Sequence, residues 1–334
     1  MAEAASTTND QQADVDFIYE PVTRELERVV ENLKALAGQA HLPGDTVMLQ
    51  HAVVSGGKKI RPTITLLAGL PHPGHEEELV TMATAVELLH IASLIHDDTV
   101  DKADTRRGKA TASSLWGTDV AVLLGDYVFA TSATFVCDTG NIDVVRRFSE
   151  TIMELANGEL AEHFSTHDWK QTVDDYNHRI YNKTASLFCT SAEAGGVLSN
   201  APKDETDALN EYGYSLGMAF QIMDDILDLS GTEAELGKPV GGDLLQGTLT
   251  LPVLLYADQN PEQSAIKRLT GGGREPDDLA EVVALVRNSS VMDETVAVMD
   301  GYRAKARATL AHLPKHRGRE SLEALTEYVG RRRT

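Results

Sequence analysis

Apolar residues recur every three to four positions through much of this chain. Residues 17–37 set the pattern: Ile18, Val22, Leu26, Val29, Val30, Leu33 and Leu36 fall on one helix face. Gly38 stops that segment and Pro43-Gly44 marks a turn. A second helix is expected from Asp45, as its cap, to Val54. The stretch GGKKIRP, residues 56–62, interrupts, and an apolar helix follows over 63–70. Glu76, Glu77 and Glu78 load the start of the next helix, where acids favour the helix dipole. That helix is expected over 79–101, with others over 120–136, 141–162, 172–194 and 204–228. A polar, glycine-rich loop over 230–247 is long enough to suggest a function. From 251 onward the pattern gives several amphipathic helices, separated by Gly271-Gly272-Gly273 and Pro314, with a tail at 328–334 expected to fray. The fold class is all-α. Residues 1–16 are polar and expected to be disordered. Residues 17–334 are expected to form one domain, since no Gly/Ser-rich or Pro-rich linker divides them.

Composition narrows the function classes. The chain has 334 residues and a formal net charge of −21, which makes nucleic acid an unfavourable partner. An anionic substrate would need metal ions or a local basic pocket. Only Cys137 and Cys189 are present, which argues against a disulfide framework and for a reducing compartment. No uninterrupted apolar run approaches about 18 residues, so no transmembrane anchor is expected. The N-terminal residues lack a basic stretch followed by an apolar one, so no secretory signal is expected. These features point to a cytoplasmic protein.

The chemistry concentrates in residues 88–108, LLHIASLIHDDTVDKADTRRG. Asp97 and Asp101 lie four apart and share a helix face. Two like charges there destabilise a bare helix unless something compensates them. The spacing recurs in FQIMDDILDLSG, residues 220–231, with Asp224, Asp225 and Asp228. One acidic triplet is ordinarily a solvated face, but both triplets lie between apolar residues. Two such segments facing each other would make a cage of carboxylates. Oxygen-only ligands suit Mg²⁺ or Mn²⁺ rather than zinc, and Mg²⁺ is normally shared with substrate phosphates. Lys58 and Arg61, beside Gly56 and Gly57, could grip an anion, Arg61 bidentately and Lys58 as a point charge.

These motifs resemble the paired aspartate-rich motifs of the trans-isoprenyl (polyprenyl) diphosphate synthases, long-chain type. The resemblance also covers GGKKIRP, Arg106 and Arg107, Lys183-Thr184, and LGKPVGGDLLQGTLTLP at 236–252. It implies the isoprenoid synthase fold, a single bundle of mostly antiparallel helices around a central apolar cavity, and a homodimer. It implies elongation of an allylic diphosphate with isopentenyl diphosphate, assisted by Mg²⁺, about three ions. All six aspartates would be catalytic, with Asp97, Asp101 and Asp224 as metal ligands. Lys58, Arg61, His90 and Arg107 would bind isopentenyl diphosphate. Arg106, Lys183, Thr184, Gln221 and Lys238 would bind the allylic diphosphate, and His96 would stand beside the metal ligands. Two positions depart from the family pattern: Glu162 stands where a glutamine is usual, and Thr248 where shorter-chain members carry a lysine.

Product length is expected to depend on Ala92 and Ser93, five and four residues before Asp97. A bulky aromatic there closes the pocket in the family. A small pair leaves it open and implies a product longer than farnesyl diphosphate, with a deeper floor among Leu89, Val86 and residues 128–135. A geranylgeranyl diphosphate synthase is the shorter alternative. A class I terpene cyclase would replace the second aspartate motif and need no GGKKIRP. A non-catalytic partner subunit would tend to lose aspartates that are all present here.

Overall fold

The computed structural model describes residues 14–38, 45–53, 57–106, 108–231, 240–272 and 275–332. Arg107 and Lys238, both expected to bind diphosphate, lie outside the described residues, as do Gly56 and residues 232–239 of the 230–247 loop. Residues 14–19 are helical, which takes in 14–16 of the stretch expected to be disordered.

The helices are α1 (Thr23–Gly38), α2 (Asp45–Val53), α3 (Ile60–Gly69), α4 (Glu76–Val100), α5 (Ala112–Trp116), α6 (Thr118–Asp138), α7 (Ile142–Ser165), α8 (Val173–Ile180), α9 (Ser186–Leu198) and α10 (Lys203–Ser230). They continue with α11 (Gly242–Leu245), α12 (Leu251–Gln259), α13 (Ser264–Thr270), α14 (Pro276–Arg287), α15 (Val291–Thr309) and α16 (Arg317–Arg331). Among the described residues the only strands are β1 (Thr105–Arg106) and β2 (Lys109–Ala110), an antiparallel pair with Arg106 opposite Lys109. The 102–110 loop is thus a small hairpin.

By contact, the chain divides into two compact units. One contains Met1–Ile152, Leu187–Gly213 and Thr309–Leu325. Its central helix is α4, which packs against α6, α3, α1 and α2. Met82, Val86, Leu88 and Leu89 on α4 are buried with Ile64 and Leu67 of α3. The other contains Met153–Ser186, Tyr214–Ala308 and Thr326–Thr334. There α14 packs against α11, α12 and α13, and α8 against α12; Val253, Val282 and Val286 are buried.

The helix expected over 172–194 is two helices with a π-helical turn, Tyr181–Ala185, between them. Its start is set by a capping box: the Thr172 hydroxyl accepts the Asp175 N–H, and the Asp175 carboxylate accepts the Thr172 N–H. Such a turn inserts one residue into the ladder and re-aims what it carries, here Lys183 and Thr184.

By length and composition two helices, α4 and α6, are apolar enough to span a membrane. Counting uninterrupted runs missed them because isolated polar residues punctuate both. The apolar window of α4 is 72% buried, as in a core helix, whereas that of α6 is only 33% buried.

Candidate active site

The first aspartate motif closes α4 and belongs to the first unit. Asp101 ends the helix, its N–H donating to the Asp97 carbonyl at 2.8 Å. Asp97 is half-buried and Asp101 exposed, while Asp98 is buried at 7% exposure. The Arg106 Nε–H donates to Asp98 Oδ1 at 2.7 Å. Burial pushes the Asp98 carboxyl above its ordinary range, and Arg106 pulls against that rise. Arg106, expected to serve the allylic diphosphate, is therefore placed from β1 onto the motif itself.

His96 does not stand among the carboxylates. Its Nε2 lies 3.4 Å from Asp126 and 3.3 Å from the Val122 carbonyl, both on α6. Ala92 is fully buried, and the Ser93 hydroxyl donates to the His90 carbonyl at 2.9 Å. Val86 and Leu89, proposed as a deeper floor, are buried too.

In GGKKIRP the two lysines part company. Lys59 takes a left-handed backbone conformation, φ 49°, and its ammonium lies 2.9 Å from Glu87, which is buried on α4. Lys59 thus anchors the segment to the helix that carries the motif. Lys58 is exposed, and its carbonyl accepts a hydrogen bond from Tyr19. The Arg61 guanidinium sits over the Phe188 ring, 4.6 Å from its centroid, a cation–π contact that orients it.

The second motif lies on α10, in the second unit. Asp225 and Asp228 are buried and Asp224 is half-buried. The Tyr176 hydroxyl donates to Asp225 Oδ2 at 2.6 Å, and Gln221 Nε2 donates to Oδ1 at 3.1 Å. The Thr184 hydroxyl donates to the Gln221 carbonyl oxygen at 2.8 Å. Thr184, Gln221, Asp225 and Tyr176 therefore form one hydrogen-bonded chain. Burial, then the Asp243 charge, pushes the Asp225 carboxyl up to about 7 against the pull of its two donors. The same burial, with the Asp225 charge, holds the Tyr176 hydroxyl well above its ordinary range. Asp228 accepts from the Asp243 N–H at 3.3 Å, and its own carbonyl accepts the Gly241 N–H at 2.9 Å. These bonds tie the motif to residues 241–243, in the second half of the 230–247 stretch.

Lys183 leaves the π turn and meets α7, 2.6 Å from Glu162 and 3.1 Å from Glu159. A Cβ at Gly158 would stand 2.7 Å from the Lys183 backbone nitrogen, so a glycine is required for α7 to come this close.

The described part of the tail, 328–332, is not frayed. Helix α16 runs to Arg331, and Arg332 is buried. Its guanidinium hydrogen-bonds to Asp224 and lies 3.9 Å from the Phe220 ring centroid. Desolvation over an aromatic face plus a carboxylate partner outweighs the entropy of fixing a side chain so near the terminus. Sequence reasoning passed over Tyr176, Arg179, Glu159 and Lys59. The first had a signal: Tyr176, Arg179 and Lys183 recur at helical spacing.

Both motifs offer carboxylate oxygens, which suit a hard divalent ion. Each already draws a cation, Arg106 onto Asp98 and Arg332 onto Asp224. Among the described residues, no group of three or more His, Cys, Asp or Glu side chains is assembled so as to hold a metal. Carboxylates repel one another, and at these two aspartates arginine supplies the counter-charge.

Comparison with known proteins extends the local picture. The sequence profile of the polyprenyl synthetases matches residues 46–287. A heptaprenyl diphosphate synthase component 2 of Bacillus subtilis is 37% identical over 99% of this chain and 90% of that protein. The crystal structure of a heptaprenyl diphosphate synthase from Staphylococcus aureus superposes with a TM-score of 0.89, at 34% identity over 93% of this chain and 98% of that one. A polyprenyl synthase from Caulobacter crescentus, solved with calcium and isoprenyl diphosphate, gives 0.88 at 32% identity over 96% and 98%. The profile spans both aspartate motifs, Lys183 and the glycine-rich loop, and this chain belongs to the polyprenyl synthetase family.

Proposed function

We propose that the protein elongates an allylic diphosphate with isopentenyl diphosphate, head to tail, to a trans-polyprenyl diphosphate longer than farnesyl. The observation that carries this is the family match over 46–287, which takes in both aspartate motifs, each complete. Asp97, Asp101 and Asp224 would hold the metal. Magnesium bound there supplies Lewis-acid stabilisation of the charge that develops on the leaving diphosphate. Lys183 and Thr184 bind the allylic diphosphate. Lys58 and Arg61, with His90, bind that of isopentenyl diphosphate. Gln221 acts as a positioning residue, since its amide is spent on Thr184 and Asp225.

As the allylic C–O bond breaks, the double bond of isopentenyl diphosphate attacks the allylic carbon. The proton then lost goes to the released diphosphate, so no side chain need act as base. Apolar neighbours of the motifs, Ile95 and Ile226 among them, are buried and keep water from the cation.

The test is product analysis. Purified protein with Mg²⁺, labelled isopentenyl diphosphate and farnesyl diphosphate should give products longer than the starter. Asp97→Asn and Asp224→Asn should each lower kcat by about 100-fold or more. A folded protein that makes no product from any allylic starter, or makes a cyclic hydrocarbon, refutes the proposal.

We further propose a cytoplasmic homodimer. Leu115, Val122, Leu123 and Tyr127, on α5 and α6, are exposed, and an apolar face of this kind marks an interaction surface. A second reading, a separate partner chain, is favoured by the Bacillus subtilis relative, which is a component of its enzyme. Activity of the chain alone decides between them.

A further inference from the structure

Lys183 is doubly countered. Glu162 Oε1 lies 2.6 Å from its ammonium and Glu159 Oε1 3.1 Å. The pair is partly shielded, with side-chain exposures of 28% for Lys183 and 24% for Glu162. Shielding makes the attraction stronger than at an open surface.

Arg179 also lies near Glu162, 3.9 Å away and buried. Its N–H groups meet neutral acceptors, Gln171 at 2.5 Å and the Leu249 carbonyl. Lys183 is the cation in close contact with both Glu159 and Glu162. A diphosphate at Lys183 competes with those carboxylates for its ammonium.

The backbone holds this arrangement in place. Gly158 brings α7 against the π turn at Lys183. Glu159 and Glu162 lie one and four residues further along that helix, so both sit within reach. Glu162, nearest to Lys183 and also beside Arg179, is the better placed of the two.

We propose that Glu162 sets the affinity of this site for diphosphate. Lys183 exchanges between the Glu162 carboxylate and a diphosphate oxygen, and Glu162 acts as the competing anion. It is a positioning residue, and it makes both binding and release of diphosphate easier to reverse. This inference rests on the reading of Lys183 as a diphosphate ligand.

The test uses the full-length protein with Mg²⁺ and inorganic diphosphate, titrated by calorimetry. The variants are Glu162→Gln, which keeps the shape and removes the charge, Lys183→Ala, the double variant, and Glu159→Gln. Circular dichroism checks that each is folded. Glu162→Gln should bind diphosphate about 5-fold more tightly. The gain should vanish in the Lys183→Ala background, as a direct coupling requires. In steady state, Glu162→Gln should lower KM for the allylic diphosphate and leave KM for isopentenyl diphosphate unchanged. A merely structural role would move neither selectively. If Lys183→Ala weakens binding while Glu162→Gln does not tighten it, the role of Glu162 is overturned alone. If Lys183→Ala binds diphosphate as tightly as the parent, the Lys183 reading falls and this inference with it. A tightening in Glu159→Gln alone would assign the competing role to Glu159 and overturn the proposal.

Discussion

Asp225 carries its charge against its surroundings. It is buried beside Asp243, and its carboxyl is pushed up to about 7, whereas in an unfolded chain it would titrate at about 3.9. A folded-state pKa above the unfolded value contributes stability that is present below about 3.9 and lost as pH rises through about 7. In EDTA-treated protein this costs on the order of 2 kcal/mol by pH 8. Asp225→Asn removes the charge and should flatten that part of the profile. Thermal melts from pH 4 to 8 check this: the parent's Tm should fall relative to the variant by a few degrees. Parallel curves would show that Asp225 does not titrate in this range. The pairing of acids at 224, 225 and 228 was legible from spacing alone. Which of them is buried was not, since that depends on Tyr176 and Gln221 arriving from other turns of the fold.

At the level of elements, α4 matches its reading closely. Its acidic first turn, apolar body and terminal aspartates were all visible in the pattern. Ala92 lies five residues before Asp97 and is fully buried, so its side chain points away from solvent as product-length control requires. One helical turn rises about 5.4 Å, close to one extended isoprene unit. Ala92→Phe should therefore shorten the main product by at least one unit, read by chromatography of the dephosphorylated chains. Unchanged product length in a folded variant would remove Ala92 from length control. Overpacking should cost about 1–3 kcal/mol, checked by the melting temperature. The π turn at Tyr181–Ala185 was missed because one inserted residue hardly alters the spacing of apolar positions. The direction of His96, toward α6, was not legible for a related reason: sequence adjacency to Asp97 says nothing about it.

For the whole molecule, α6 poses the open question of assembly. Leu123 is 67% exposed and Tyr127, one turn on, 44%. Water is an unfavourable neighbour for that much apolar side chain. Leu123→Glu should convert a dimer to monomer, measured by light scattering on a sizing column, with the helical signal retained. A parent that is already monomeric, or a variant that stays dimeric, would place the interface elsewhere. Both α4 and α6 are long and apolar enough to pass a composition test for a membrane span, but the apolar window of α4 is mostly buried and that of α6 is not.

The sequence by itself determined the helical class, the helix boundaries to within a few residues, and both aspartate motifs. Periodicity and spacing are local properties, carried by neighbours three to seven residues apart. The tertiary structure alone decided the pairings: Arg106 on Asp98, Lys59 on Glu87, Arg332 on Asp224, and Lys183 between Glu159 and Glu162. Each joins residues separated by 8 to 108 positions. No periodicity encodes such a pairing, because it depends on which helices pack together and how closely, down to a single glycine at 158.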